Sequence, residues 1–190
     1  MKTQTKISSS HATLQPTAAN KNIFDESEYR PVPDASLISD SNVKWIWSSF
    51  EGLSVHQLYE ALRLRESIFI VEQNVPYIDL DGKDKQCMHL MGYAEHDMVA
   101  YMRIVPLDLF ERGYFSLGRV VVRSDLRGTG IGREMVSRGI QYLDKIRNGR
   151  PIKISSQLYL KDFYASFGFI AQGEPYIEDK IPHIAMVKAD

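Results

Sequence analysis

From residue 43 to residue 48, Val43, Trp45 and Trp47 alternate with Lys44, Ile46 and Ser48, the period-two pattern of a strand. Gly52 closes that run. Ser54 and Gln57 stand at capping-box spacing and predict a helix start. In the helix, Val55, Leu58, Tyr59, Leu62 and Phe69 form the expected buried stripe, with Glu60, Arg63 and Glu66 on the opposite face. Its end is open, because β-branched residues crowd the stretch 64–73 and suit either continued helix or extended chain.

The polar stretch 74–85 holds Pro76, Asp79, Asp81, Gly82 and Asp84 and reads as a solvated loop. Its acid spacing partly matches a calcium loop, but the twelfth-position Glu and the flanking helix pair are missing. Residues 88–95 and 98–105 read as two strands joined at His96-Asp97, a hairpin, and 115–122 as a third strand. Ile131, Met135, Gly139, Tyr142, Leu143 and Ile146 then recur on one helical face. Asn148-Gly149 and Pro151 break the chain. A short strand is expected at 152–155 and a short helix at 158–167, stopped by Gly168. A strand begins at Phe169 and Ile170, and 183–188 is the last. This order predicts an α/β (mixed α+β) fold: a central, mostly antiparallel mixed sheet of six to seven strands with helices on both faces.

Composition narrows the class. The chain has 190 residues, 44% hydrophobic and 25% charged, which suits one ordinary domain plus an appendage. Its formal net charge of −1 gives no global field toward nucleic acid or membrane, and neither is an expected partner. No apolar run approaches the ~18–20 residues of a membrane span. The one cysteine, Cys87, leaves no internal disulfide and no cysteine-based zinc site; a small half-buried residue in a reducing cytoplasm is the expectation. Residues 1–42 are rich in Ser, Thr, Asn, Ala, Lys and Pro and predict a disordered or loosely docked arm, with 43–190 as the folded domain. An acid-poor, Ser-rich start also suits a transit peptide, but no Arg precedes Arg30.

The candidate chemistry centres on residues 119–135. Val120, Val121 and Val122 favour extended chain, and Gly128, Gly130 and Gly132 follow just before the helix. A glycine turn that opens a helix points unpaired N–H groups outward and adds the positive helix end: an anion site, most simply for phosphate. Arg127 and Arg133 bracket it. The Walker pattern is absent, and the dinucleotide fingerprint fails because Arg133 occupies the place of its third glycine. A turn with no ligand is the competing reading.

The pattern Arg127-x-x-Gly130-x-Gly132 after a valine strand resembles the acetyl-coenzyme A loop of the GNAT superfamily of N-acetyltransferases. Tyr164-Ala165-Ser166-Phe167-Gly168-Phe169 resembles the superfamily's late helix-to-strand segment. Leu64-Arg65, residues 68–73, Pro76-Tyr77, Asp79, Asp81-Gly82, Gly118-Arg119-Val120 and Ile181-Pro182-His183-Ile184 are similar to the ElaA-like subgroup, over the stretch from about residue 43 to the end.

The resemblance implies a GNAT fold and an acetyl-CoA-dependent transfer of an acetyl group to a primary amine, without metal. Backbone groups of Val120, Val121 and Val122 would pair with the pantetheine arm as an added strand. Amides of Arg127, Gly128, Thr129, Gly130, Ile131, Gly132 and Arg133 would hold the pyrophosphate. Tyr164 is the candidate general acid: a phenol near ~10 stays protonated until a thiolate, near roughly 8.5, appears. The base is open among Glu72, Asp79, Asp81, His89, Glu178 and His183. Glu72 is favoured because it ends an apolar run where burial would raise its pKa, and His183 because it starts a strand beside the acceptor side. Arg65, Arg103 and Arg119 fall in apolar segments and either pair internally, for instance with Glu66, Glu72 or Glu95, or bind an anionic acceptor. Glucosamine 6-phosphate is one such acceptor. An acyl-homoserine-lactone-synthase-like enzyme and a non-catalytic acyl-CoA sensor are the other readings, and a homodimer is an open oligomeric state.

Overall fold

The computed structural model describes residues 42–189. The arm expected over 1–42 lies, but for Asn42, outside the described residues. In chain order the elements are β1 (Val43–Ser49), α1 (Val55–Arg65), a π-helical turn (Glu66–Glu72), β2 (Met88–Ala94), β3 (Asp97–Val105), β4 (Ser116–Val122), α2 (Ile131–Ile146), β5 (Ile152–Gln157), α3 (Lys161–Ala165), β6 (Ile170–Glu178) and β7 (Ile181–Lys188).

The capping box forms: Ser54 Oγ accepts from the Gln57 N–H at 3.1 Å, and Gln57 Oε1 from the Ser54 N–H at 2.9 Å. The buried face of α1 differs from the expected stripe. Val55 is 82% and Tyr59 68% exposed, while Ala61, Leu64, Arg65 and, one turn on, Ile68 are buried. That face places the Arg65 guanidinium against carboxylates beneath the helix, a requirement that apolar counting does not register. The open boundary at 64–73 resolves as a continued helix underwound by one residue. The Gln73 N–H bonds Ile68 O at 3.1 Å, an i to i−5 bond, and Phe69, Glu72 and Gln73 line a cleft.

The hairpin turn falls one residue earlier than predicted, on Glu95-His96, with Glu95 in the left-handed region at φ 54°. In α2 the inner face is completed by Val136 and Ile140, while Ile146 is 48% exposed.

The single sheet expected from the pattern is two antiparallel sheets, ordered β1-β2-β3-β4 and β5-β7-β6. They meet at one parallel bridge, Phe115 with Ile152, where the Lys153 N–H donates to Phe115 O at 2.9 Å. The cause lies in β4. Tyr101 faces Val121 and Arg103 faces Gly118, so Met102 alone opposes both Arg119 and Val120. This bulge, with Arg119 at φ 52°, bends the strand away from β5.

The four-stranded sheet carries a helix on each face, as predicted. Leu90, Met102, Ile104 and Leu117 pack in one cluster with Met135, Val136 and Leu143 of α2. Met91, Tyr101 and Val121 pack in a second with Ala61 and Leu64 of α1. Ile152, Ile154, Ile184 and Met186 bring the three-stranded sheet into the first cluster.

Candidate active site

Beyond Phe115 and Ile152, β4 and β5 present their outer edges to each other without pairing, since each ends its sheet. Between them opens a cleft of about 560 Å³. Val120, Val121 and Val122 line one side, Ser155, Ser156 and Gln157 the other. Gln157 Nε2 reaches Gln73 Oε1 of the π-helical turn at 3.2 Å.

At one end of the cleft the chain leaves β4 and turns through the glycines. Gly128 (φ 81°) and Gly130 (φ 98°) hold the left-handed region, which a side chain disfavours. Thr129 Oγ1 donates to Leu126 O at 2.7 Å and pins the turn. Gly130 is the N-cap of α2 and offers no side chain to its amides. The first bond across the helix start runs from the Glu134 N–H to Gly130 O at 3.0 Å. The amides from Gly128 to Arg133 take no backbone partner among the described residues, so the turn is a cradle of donors at a positive helix end. The flanking arginines differ. Arg127 lines the cleft, while Arg133 turns to α3, donating to Ser166 Oγ at 3.0 Å over the rings of Phe163 and Phe167.

Tyr164 lines the same cleft, 6% exposed, wedged edge-on between Phe163 and Phe169. Burial pushes its phenol well above the ordinary value. Glu72 is not buried as the sequence pattern predicted. Its side chain is 38% exposed, and both oxygens accept from Arg127, at 2.6 and 3.0 Å. His183 lines the cleft, its Nδ1 2.8 Å from Ile181 O. A carbonyl only accepts, so Nδ1 carries the hydrogen and the neutral ring keeps its lone pair on Nε2. His89 is remote from this arrangement. It is buried between the Tyr101 hydroxyl and Asp84 O, and burial lowers its pKa.

The three arginines pair internally, with partners other than those expected. Arg65 bonds Asp79 Oδ2 at 2.8 Å and Asp84 Oδ2 at 3.0 Å. Arg103 bonds both oxygens of Asp81, at 2.8 and 2.6 Å, and Asp84 Oδ1 at 2.8 Å. Arg119 Nε lies 2.6 Å from Asp79 Oδ1, and its Nη2 donates to Asp79 O at 3.0 Å. Burial alone would raise the Asp81 and Asp84 carboxyls; the guanidiniums outweigh it and hold both below the usual range. The stretch read as a solvated loop is thus the counter-charge of the domain. Three arginines in apolar elements call for carboxylates, and the signal was present in the Asp79, Asp81, Asp84 spacing. Arg65 does not line the cleft, whereas Arg103 and Arg119 do.

An unpaired strand edge thus runs beside a cradle of free amides, and Tyr164 lines the same cleft. A family model described as an acetyltransferase (GNAT) domain matches residues 83–189. The chain belongs to the GNAT acetyltransferases. Within them it is ElaA-like. Protein ElaA of Escherichia coli is 38% identical over 148 residues, 77% of this chain and 96% of that protein. The UPF0039 protein sll0451 of Synechocystis is 38% identical over 76% of this chain and 94% of its own length. The crystal structure of Escherichia coli ElaA superposes with a TM-score of 0.72 at 38% identity, covering 77% of this chain and 99% of that one. An acyl-CoA N-acyltransferase from Pseudomonas aeruginosa gives 0.73 at 35% identity, with the same coverage of 77% and 99%. The acyl-homoserine-lactone synthase LasI, 14% identical with a TM-score of 0.60 over 76% of this chain and 88% of its own, shares the fold alone.

Proposed function

We propose that the chain transfers an acetyl group from acetyl-CoA to the primary amine of a small acceptor, by direct attack of the amine on the thioester. The observation that carries this reading is the unpaired β4 edge running into the free amides from Gly128 to Arg133. One extended carrier fits both: its pyrophosphate on the amides and its pantetheine arm alongside Val120 to Val122. The bulge at Arg119 breaks the β3–β4 ladder where the thioester would lie, and a freed amide there can meet its oxygen.

The amine nitrogen bonds the thioester carbon, the carbon–sulfur bond breaks, and the sulfur takes the Tyr164 proton. Burial keeps the Tyr164 phenol protonated at neutral pH, so its O–H is in place as the sulfur leaves, while the raised value makes it a weaker acid that gives up the proton only in concert with carbon–sulfur cleavage. The amine's own proton goes to a base on the acceptor side. His183 suits this better than Glu72, whose oxygens are occupied by Arg127. The charge on which an anionic acceptor would draw is already matched by Asp79, Asp81 and Asp84.

The test is thiol release with and without amine, beside calorimetric binding of acetyl-CoA. Tyr164→Phe is expected to lower turnover by ~10²-fold or more while leaving acetyl-CoA affinity within about twofold. Binding without amine-dependent thiol release would leave a sensor, and unchanged turnover in the variant would remove Tyr164 from the role.

A further inference from the structure

The register of the three-stranded sheet sorts its residues onto two faces. Ile152, Ile154, Ile184 and Met186 enter the core. On the other face, Gln157 and Tyr176 both sit opposite His183, Ser155 sits opposite Ala185, and Glu178 opposite Ile181. Ser155, Gln157, Glu178 and His183 of this face line the cleft.

Glu178 is held in place there. Ser155 Oγ donates to its Oε2 at 2.7 Å, and the Tyr176 hydroxyl stands 2.6 Å from the same Oγ, its ring stacked on His183. The contact crosses from β5 to β6 over the intervening β7. A serine hydroxyl leaves the negative charge of the carboxylate in place. Glu178 forms no ion pair among the described residues, and neither does Asp179 beside it, which also lines the cleft.

The other charges of the cleft are matched, with one exception. Arg103 is paired with Asp81 and Asp84, Arg119 with Asp79, and Arg127 with Glu72. Lys83 remains, so two carboxylates stand against one ammonium. The same cleft is also lined by apolar side chains: Ile68, Phe69, Val75, Ile78 and Phe110. An acceptor bearing carboxylate or phosphate would meet an excess of like charge without a free guanidinium to balance it. A cationic amine on a hydrocarbon body would find both a counter-ion and an apolar lining.

Resting on the acyltransferase reading, we propose that the acceptor is an alkyl- or arylalkylamine without an acidic group, whose ammonium docks on exposed Glu178 and releases its extra proton to solvent before the neutral amine attacks. Ser155 and Tyr176 are its positioning residues: they fix the carboxylate and do not touch the acceptor.

The experiment compares 2-phenylethylamine with phenylalanine, which differs from it by one carboxylate, and with glucosamine 6-phosphate. Thiol release from acetyl-CoA is measured on the full chain. The expected kcat/KM for 2-phenylethylamine exceeds that for phenylalanine and for the sugar phosphate by about 100-fold or more. Glu178→Gln, which keeps the shape and removes the charge, is expected to raise the amine KM about 10-fold with the acetyl-CoA KM unchanged. Glu178→Asp is expected to fall between the two. Ser155→Ala is expected to raise the amine KM less than Glu178→Gln, with kcat retained. Preference for the acidic acceptors, or an amine KM indifferent to Glu178→Gln, overturns the proposal and leaves the acyltransferase intact. Thiol release with none of the amines overturns both.

Discussion

Arg119 holds a backbone angle of φ 52° inside a strand, where a side chain costs about 1–2 kcal/mol. Its guanidinium is tied to Asp79 at 2.6 Å and lies over the Phe69 ring. The ion pair offsets the strained angle and so secures the bulge. Glycine takes that angle without strain and needs no tie. Arg119→Ala is therefore expected to raise the acetyl-CoA KM about 10-fold, and Arg119→Gly by distinctly less. Asp79→Asn also removes a partner of buried Arg65 in either background, so the tie predicts a larger rise in acetyl-CoA KM in the native chain than in the Arg119→Gly background; equal rises in both would rule it out. Residues differ in how far sequence reveals them. Tyr164 sits in a short motif next to its own helix stop, and its placement follows locally. Asp79 serves Arg119 across 40 positions, a pairing that no local pattern encodes.

At the scale of elements, the start of α2 carries the most weight. Its inner face is read directly from spacing, and Ile131, Met135 and Leu143 are fully buried. The turn before it is equally local: the donors, the left-handed angles and the helix end lie within a few residues of one another. Gly130→Glu places a side chain at φ 98° and a negative charge among the donors. Its expected effect is a fall in acetyl-CoA affinity of ~10²-fold or more by calorimetry, with the thermal midpoint shifted by only a few degrees. Retained affinity would place the carrier elsewhere. Helix α1 was less readable. Its buried face is chosen by Arg65, whose partners sit in a loop beyond the helix, and the π-helical bond at Gln73 depends on how that helix lands on the sheet.

For the whole molecule, acid is the informative variable. His89 is surrounded by Tyr101, Asp84, Arg65 and Arg103, and burial depresses its pKa from 6.5 in the folded state. The unfolded chain therefore takes up that proton first as pH falls. The contribution is complete above about 6.5 and is lost as pH drops through the folded value. Asp81 and Asp84 are depressed from 3.8, so theirs is complete above that value and lost in stronger acid. The thermal midpoint should fall between pH 7 and 5 and again below 3.8. His89→Gln should flatten the first decline and leave the second. A native midpoint that does not move between pH 7 and 5 would contradict the assignment.

Among the described residues no helix is long and apolar enough to cross a membrane, in keeping with the unbroken mixing of polar and apolar positions along the chain. That mixing, the glycine turn and the late aromatic motif were enough to define the fold and to locate the turn and Tyr164 that the proposed donor side uses, because periodicity, helix ends and left-handed angles are properties of neighbouring residues. The tertiary structure alone decided the rest: the split of the sheet at a bulge, the matching of three arginines to three aspartates, and the assembly of Ser155, Tyr176, Glu178 and His183 on one face. Each depends on which distant segments pair and in what register, and a shift of one residue would turn those side chains to the opposite face.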